Sequence, residues 1–302
     1  MWFCKLLFAM GLLLNAAALA QAQAVPTPTP SPSTTRGHPI SADNPRYDRL
    51  RSIEMMIPED RAESHPLLDT EKGIYRRPGK QEIRVLAVAK SVLARHAEFL
   101  KGQNTGIVKL NAESSCISDA DEVMASEKCL PYRMPGAGTA YSFRTGSYRI
   151  PRLADVILFD GVFRTGGVFQ HVIMADIGDV AVEDVTLDTK GMKYLVSLEP
   201  VSDSEEFIRF DARLAKGIDS DGLLFGKGHP VKENSTFALR SIAYRGQFMR
   251  SVDGITYNEL DFDKRRDVIA AFRVVDKDSS GNLTIVWKLL KNADSPKLKV
   301  KK

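Results

Sequence analysis

The sequence predicts an α+β fold, with a β-rich domain of mostly antiparallel sheet and helices toward the amino-terminal side. After Arg152, short apolar runs rich in Val, Ile, Phe and Leu alternate with turn signals such as Asp160-Gly161 and Gly166-Gly167. Many of these runs follow one another too closely for a crossover helix, which favours antiparallel pairing. Before residue 102, by contrast, apolar residues recur at three- and four-residue spacing, which is typical of helices.

The segments with the length and composition of strands lie in the second half of the chain. We expect them to form the β-rich part of the domain, over about residues 130–292. The predicted strands cover residues 153–159, 168–175, 182–187, 192–198, 206–214, 236–244, 268–276 and 283–290.

Helices are expected in the first part of the domain, over about residues 40–130. The strongest pattern predicts one long helix over residues 80–101, ended by Gly102. A shorter helix is predicted over residues 44–57, with Asn44 as its cap. Residues 118–121 fit a capping box for a further helical turn. The helical and β-rich parts together make a single globular domain over residues 40–302.

Residues 1–24 have the pattern of a secretory signal peptide. Lys5 precedes a short apolar run over residues 6–14, and small-x-small cleavage patterns follow. This run is too short for a spanning helix, which needs about 20 apolar residues, so no membrane span is expected after cleavage. The pattern predicts export to a periplasm, the cell surface or the exterior. Retention as an uncleaved anchor is the alternative.

Residues 25–39 form a linker rich in Pro, Ser and Thr. Prolines at 26, 28, 30 and 32 exclude a helix and favour polyproline II. The segment is expected to act as a semi-stiff spacer between the amino terminus and the folded domain. A disordered leader is the alternative interpretation.

Charge and motifs exclude several classes of function. The net charge of +4 is small against 42 basic and 38 acidic side chains, so nucleic-acid binding is not indicated. The sequence contains no GxxxxGK, HExxH, GxSxG or SxxK motif, and Gly136-Ala137-Gly138 lacks the third glycine of a dinucleotide fingerprint. No cofactor and no metal site are therefore predicted.

Two cysteines follow the predicted signal peptide, Cys116 and Cys129. An even pair at this spacing in an exported chain predicts one disulfide that closes a short loop. Two free thiols are the alternative. A metal site is not expected there, because the pair contains no CxxC motif and has no nearby histidine.

A cluster of tyrosines and arginines around a Gly/Pro turn is the predicted binding region. Tyrosine with arginine offers aromatic stacking together with forked donors for carboxylate, phosphate or sugar hydroxyls, and glycines 136 and 138 would let a ligand approach the backbone. The alternative is structural, with tyrosines packed at the sheet edge and arginines paired with acids such as Asp155. The predicted binding residues are Tyr132, Arg133, Tyr141, Arg144, Tyr148 and Arg152.

Catalysis has weaker support in the sequence. His171 with Asp176 or Asp179 at a neighbouring strand end is a candidate acid/base group, since a carboxylate-oriented histidine can act as a base. A satisfied histidine within the sheet explains His171 equally well.

Three functions remain open. The preferred hypothesis is an exported, non-enzymatic module that binds a cell-wall polymer, a polysaccharide or an envelope protein. The second is an exported hydrolase whose acid/base residues the sequence does not identify. The third is an assembly or adhesion component whose sheet edges pair with other chains.

Overall fold

A computed structural model describes residues 73–117, 126–252 and 255–299. The predicted signal peptide (1–24), linker (25–39), first helix (44–57) and capping box (118–121) lie outside the described residues.

Two five-stranded antiparallel sheets dominate the described structure, and the predicted α+β class is confirmed. Sheet A has the order β1-β14-β13-β10-β6, and sheet B has the order β3-β2-β4-β5-β9. Two small hairpins, β7-β8 and β11-β12, lie outside them. The strands are β1 Thr105–Leu110, β2 Ala140–Ser142, β3 Ser147–Tyr148, β4 Val156–Phe159, β5 Val162–Arg164, β6 Gln170–Gly178, β7 Ile218–Ser220, β8 Leu223–Phe225, β9 Gly228–Pro230, β10 Thr236–Ala243, β11 Met249–Val252, β12 Ile255–Asn258, β13 Arg266–Lys277 and β14 Leu283–Asp294.

The main core lies between sheet A and sheet B. Sheet A contributes Phe237 and Phe272, whose rings stack with centroids 5.0 Å apart. Phe163 of sheet B meets both rings edge-on, at 5.2 and 5.1 Å. All three side chains are fully buried, so each contributes about 1.5–3 kcal/mol through its removal from water.

Hydrogen bonds also join the two sheets at both margins. At one margin, Met174 of β6 exchanges two backbone hydrogen bonds with Gly226, of 3.1 and 2.9 Å, just before β9. At the other, the backbone N–H of Asn111 donates to the Gly138 carbonyl at 2.9 Å, between the ends of β1 and β2. The sandwich therefore resembles a flattened, partly closed barrel.

The helices over residues 192–197 and 204–216 pack on the outer face of sheet A. None of the helices within the described ranges is both long enough and apolar enough to cross a membrane. The α-helices are α1 Lys80–Ile83, α2 Lys90–Arg95, α3 Met192–Ser197 and α4 Ser204–Lys216. Short 3-10 helices cover Arg84–Leu86, Phe99–Lys101, Ser114–Cys116, Glu127–Tyr132, Pro135–Gly138, Pro151–Leu153, Val182–Asp184 and Glu259–Phe262.

Three segments predicted as strands are helical, and those predictions are wrong. Residues 182–187 begin with a 3-10 helix, residues 192–198 form α3, and residues 206–214 lie inside α4. The residues at the two ends of α4 explain why this segment is a helix and not a strand. Asp203 caps it by accepting the Glu206 backbone N–H at 2.9 Å, and Gly217, at φ +86°, ends it.

A buried arginine fixes α3 to the sheet. Arg240 of β10 forms a forked ion pair with Asp267, with N···O distances of 2.9 and 2.7 Å. Its remaining nitrogen donates to the Leu195 and Leu198 carbonyls at 2.6 and 2.5 Å. These carbonyls lie at the end of α3 and have no partner inside the helix, so Arg240 satisfies them and complements the helix dipole.

The prediction of one long helix over residues 80–101 is also wrong. The chain forms α1, a 3-10 turn, α2 and a second 3-10 turn, and Ala87 and Ala89 between them are extended, with ψ of 132° and 139°. Leu86 packs into the sandwich core and Val92 is also buried. Because Gly138 leaves the space that the Leu86 side chain occupies, tertiary packing overrides the helical pattern here.

Cys116 and Cys129 form the predicted disulfide. Their Cα atoms lie 5.3 Å apart, and both side chains are buried together with Ala137. The bond therefore lies beside the Gly/Pro turn that precedes β2.

Replacing both cysteines by alanine should lower the free energy of unfolding by about 3 kcal/mol, because the unfolded chain then regains the entropy of an open loop of roughly 14 residues. Urea unfolding of the oxidised protein and of the double variant measures the difference. Wild-type protein treated with reductant is the control and should match the variant. Identical midpoints for the oxidised protein and the variant would contradict the role of the disulfide.

Candidate functional site

The predicted binding tyrosines lie largely inside the fold. Tyr141 and Tyr148 are buried and pack edge-to-face, with ring centroids 5.8 Å apart. Burial raises the pKa of both phenols. The Tyr148 hydroxyl donates to the Lys109 carbonyl at 2.6 Å, so it ties β3 to β1. Tyr132 is half-buried beside the disulfide.

The Gly/Pro turn is tightly packed against the protein itself. Gly136 and Gly138 adopt left-handed φ values of +62° and +73° without strain, whereas Ala137 between them, at φ +50°, carries the cost of a side chain in this conformation. A Cβ at Gly136 would lie 2.4 Å from the Arg149 carbonyl oxygen, and one at Gly138 would lie 2.3 Å from Leu86. The space beside these two glycines, where a ligand was expected to approach the backbone, is thus filled by other residues of the protein.

The hydrogen-bond donors of the Arg144 side chain are all satisfied within the fold. Its side chain is fully buried and forms ion pairs with Asp155 at 2.7 Å and Asp263 at 2.5 Å. Its other N–H groups donate to the Lys264 and Leu153 carbonyls and to Gln170 Oε1, each at 3.0 Å. All five guanidinium donors therefore have partners. Burial opposes the charge, but the two carboxylates outweigh it and raise the pKa of Arg144.

Asp155 connects the two sheets through the same network. It accepts hydrogen bonds from Ser142 of sheet B at 3.0 Å and from Gln170 and Ser241 of sheet A at 2.8 and 2.7 Å. We call the buried set Arg144, Asp155, Gln170, Ser241, Asp263 and Arg265 the Arg144 network. Two basic and two acidic side chains balance within it, which is the condition under which buried charges are tolerated.

The two remaining predicted binding arginines lie at the surface of this region. Arg152 is partly exposed, at 24 %, and donates to the buried carboxylate of Glu259 at 2.9 Å. Arg133 is exposed. That the six Tyr and Arg residues bind a partner stays a prediction. The burial of Tyr141, Arg144 and Tyr148 favours the alternative, in which tyrosines pack and arginines pair within the fold.

The Arg144 network holds an unusual turn before β6. Asp263 accepts from Arg265 at 2.8 Å, and Arg265 in turn donates to the carbonyls of Val168, at 2.8 Å, and Phe169. Phe169 has φ +51°, a left-handed conformation that costs a bulky residue about 1–3 kcal/mol. The backbone N–H of Tyr244 donates to the Phe169 carbonyl at 2.9 Å and completes its support.

Glycine is required two residues earlier in this turn. Gly167 has φ +124°, and a Cβ there would lie 2.3 Å from the Gln170 side chain, which belongs to the Arg144 network. The turn over residues 165–169, which we call the strained wall, is therefore fixed from below by buried hydrogen bonds and shaped by Gly167 and Phe169.

A cleft of about 280 Å³ opens between the strained wall and α4. Its lining is mainly apolar and includes three phenylalanines, Phe169, Phe207 and Phe248, with Ile208 and Leu298 beside them. The Phe169 ring lies 6.3 Å from both other phenylalanine rings. Asp211 and Lys227 also line the cleft and form an ion pair. The volume is near the lower end of small-molecule sites, about 300–1,000 Å³.

His171 lies beneath the cleft and is satisfied within the fold. Its Nε2 is 3.1 Å from the Phe207 carbonyl and its Nδ1 is 3.2 Å from the Tyr244 hydroxyl, so a neutral ring protonated at Nε2 satisfies both contacts. The ring also stacks on Phe207, with centroids 3.9 Å apart. Burial lowers the pKa of His171 to about 4, although the nearby charge of Asp211 opposes the shift.

The predicted catalytic residues are not brought together. Asp176 accepts from Ser235 at 2.5 Å and pairs with Lys232 at 3.0 Å, five residues or roughly 16 Å along β6 from His171. Asp179 is 80 % exposed and pairs with Arg273 at 2.6 Å. A base with a pKa near 4 is poorly matched to neutral conditions. Among the described residues, no group of three or more His, Cys, Asp or Glu side chains could hold a metal ion.

The cleft was not predicted from the sequence. Its phenylalanines come from a turn, a helix and a loop that are far apart in the chain, and the sequence predicts a strand where α4 lies. Two local signals were present, namely Gly166-Gly167 before an apolar run and the Asp203 cap of α4. No protein-family model, curated protein sequence or solved structure matches this chain.

Replacing Arg144 by methionine should lower the free energy of unfolding by roughly 3–5 kcal/mol, because Asp155 then stays buried without a cationic partner and Asp263 keeps only its ion pair with Arg265. Chemical denaturation measures the loss. Arg209→Met is the matched control, since Arg209 is 65 % exposed and pairs only loosely with Glu205 at 3.8 Å. It should cost no more than about 0.5 kcal/mol. Equal stability of Arg144→Met and wild type would exclude a structural role for the network.

His171 should make folding sensitive to acid. Because its folded pKa of about 4 is below the ordinary value of 6.5, the unfolded chain takes up a proton first as the pH falls. The contribution of His171 to the free energy of unfolding is complete above pH 6.5 and is lost as the pH falls to 4. The stability advantage of wild type over His171→Gln should shrink by about 3 kcal/mol between pH 7 and pH 4. A constant advantage across this range would show that the folded histidine titrates normally.

Proposed function

We propose that this protein is an exported, non-enzymatic binding module whose cleft receives an apolar group of an envelope or extracellular partner. The observation that supports the proposal is the cleft itself, which places three phenylalanines around about 280 Å³ of space. Such apolar concavities with a few polar groups at one side are typical of ligand sites.

The construction of the strained wall supports a binding role. Phe169 is held in a costly conformation by Arg265 and Tyr244, so its ring is already positioned before any ligand arrives. Binding to such a wall requires little further ordering, and less of the interaction energy is spent on immobilising side chains. The left-handed backbone of Phe169 is itself unfavourable, so it does not stabilise the fold. A costly conformation of this kind is typical of functional sites, which favours recognition over packing as the role of the wall.

The disulfide supports export. Cys116 and Cys129 are joined and buried, and structural disulfides of this kind persist in oxidising compartments. In this proposal the signal-like residues 1–24 direct the chain out of the cell, and residues 25–39 separate the domain from its point of attachment or release.

The lining narrows the choice among partners. Sugar hydroxyls need many polar contacts, whereas the cleft offers aromatic and aliphatic side chains over most of its surface. An apolar group carried by an envelope protein or lipid suits this lining better than a bare polysaccharide does. The binding module is therefore proposed to recognise its partner through one apolar anchor.

Filling the cleft should abolish binding. Ile208 lies on α4 in the lining, and Ile208→Trp would place an indole where the anchor is proposed to lie. We expect naphthalene, a neutral aromatic probe, to bind wild type and to bind Ile208→Trp at least tenfold more weakly, since the substitution removes the space that the ring needs. Ligand-observed NMR measures the affinities, and the melting temperature of each protein shows that it is folded.

The matched control is Leu224→Trp, which makes the same kind of change at a leucine 54 % exposed and outside the cleft. It should leave naphthalene binding within twofold of wild type. Binding that survives in folded Ile208→Trp would place the probe elsewhere and would remove the main support for the proposed function.

A further inference from the structure

The charged pair in the cleft can hold a polar group of a ligand in addition to its own ion pair. Asp211 of α4 and Lys227, between β8 and β9, are 14 % and 33 % exposed and both line the cleft. An ammonium has three donors and a carboxylate about four acceptor positions, so groups of this kind commonly bind several partners at once. The Lys227 carbonyl also accepts the Thr165 backbone N–H at 2.8 Å, which ties this pair to the strained wall.

We propose that the cleft binds an aromatic side chain of a peptide together with the main-chain amide next to it, an inference that rests on the proposed function. The aromatic ring occupies the space between Phe169, Phe207 and Phe248. The peptide carbonyl accepts from Lys227, and the peptide N–H donates to Asp211.

Electrostatics favours a neutral, dipolar group over a charged one. A carboxylate placed beside this pair would be attracted by Lys227 and repelled by Asp211 at a similar distance, so the two Coulomb energies largely cancel. It would also lose hydration on entering an apolar cleft. A peptide amide carries a donor and an acceptor side by side and has no net charge, so both contacts are favourable.

The size and lining of the cleft favour one aromatic anchor. A cleft of about 280 Å³ suits a single ring system. Aromatic rings pack well in offset or edge-to-face arrangements at about 4.5–7 Å, the spacing already present between Phe169 and its neighbours. Protein partners commonly concentrate their binding energy in one such side chain, seated in a pocket from which water is excluded.

The experiment compares three probes by ligand-observed NMR on the purified chain. They are N-acetylphenylalanine amide, which has a ring and peptide groups, 3-phenylpropionate, which has a ring and a negative charge, and naphthalene, which has rings alone. In wild type the capped phenylalanine should bind about tenfold more tightly than 3-phenylpropionate. This difference is the expected result of a neutral ion pair in the cleft.

Variants of the pair separate its two roles. Asp211→Asn should weaken binding of the capped phenylalanine about tenfold and strengthen binding of 3-phenylpropionate, because Lys227 is then an uncompensated charge. Lys227→Met should weaken the binding of both the capped phenylalanine and 3-phenylpropionate. Naphthalene should bind all of these proteins within twofold of wild type. Glu205→Gln changes a carboxylate on the same helix outside the cleft, and it should alter none of the affinities.

Different results identify different failures. Tighter binding of 3-phenylpropionate than of the capped phenylalanine to wild type would overturn the peptide inference in favour of an anionic amphiphile. Binding of naphthalene with no effect of Asp211→Asn on the capped phenylalanine would overturn the inference and leave the proposed function standing. Failure of all three probes to bind would overturn both.

Discussion

The buried ion pair between Arg144 and Asp155 is the contact on which the rest of the described structure depends. Asp155 accepts hydrogen bonds from both sheets, and Arg144 extends the same network through Asp263 to Arg265 and the strained wall. Such a pair adds little net stability compared with apolar side chains of the same shape, because desolvation offsets the attraction. It does fix geometry, since a shifted strand would leave buried donors and acceptors without partners. The position of the cleft wall is therefore set in the interior of the sandwich.

The elements that the sequence predicts best are those whose local pattern and tertiary environment agree. β10, β13 and β14 are long, rich in β-branched and aromatic residues, and largely buried, so their apolar runs are nearly continuous. α3 has a similar short apolar run, so its composition does not distinguish it from a strand, and the Arg240 contacts that support its last carbonyls come from a distant part of the chain. α4 carries end signals in Asp203 and Gly217, and these outweigh the apolar content of the segment. The prediction for residues 80–101 is wrong for the opposite reason, because a good helical pattern is interrupted where Leu86 enters the core.

The candidate site could be predicted less well than the fold, for a physical reason. The Tyr and Arg cluster was visible because its members are close in sequence, but sequence proximity does not distinguish a side chain facing a ligand from one facing Asp155. The cleft was invisible because Phe169, Phe207, Phe248 and Leu298 meet only after the sheets, α4 and the carboxyl-terminal segment have packed. The disulfide between Cys116 and Cys129 was predictable because chain context and an even count restrict two thiols to few outcomes.

The left-handed Phe169 couples the cleft to the global folding equilibrium. The hydrogen bonds that hold it come from Arg265 and Tyr244, which belong to the interior, so we expect the wall to unfold together with the core. A ligand that contacts this wall then binds the native state and not the unfolded chain. By mass action, a concentration one hundred times the dissociation constant raises the free energy of unfolding by about 2.7 kcal/mol. Any compound in a mixture that binds the cleft is thus detectable as a rise in melting temperature, whatever its chemical class.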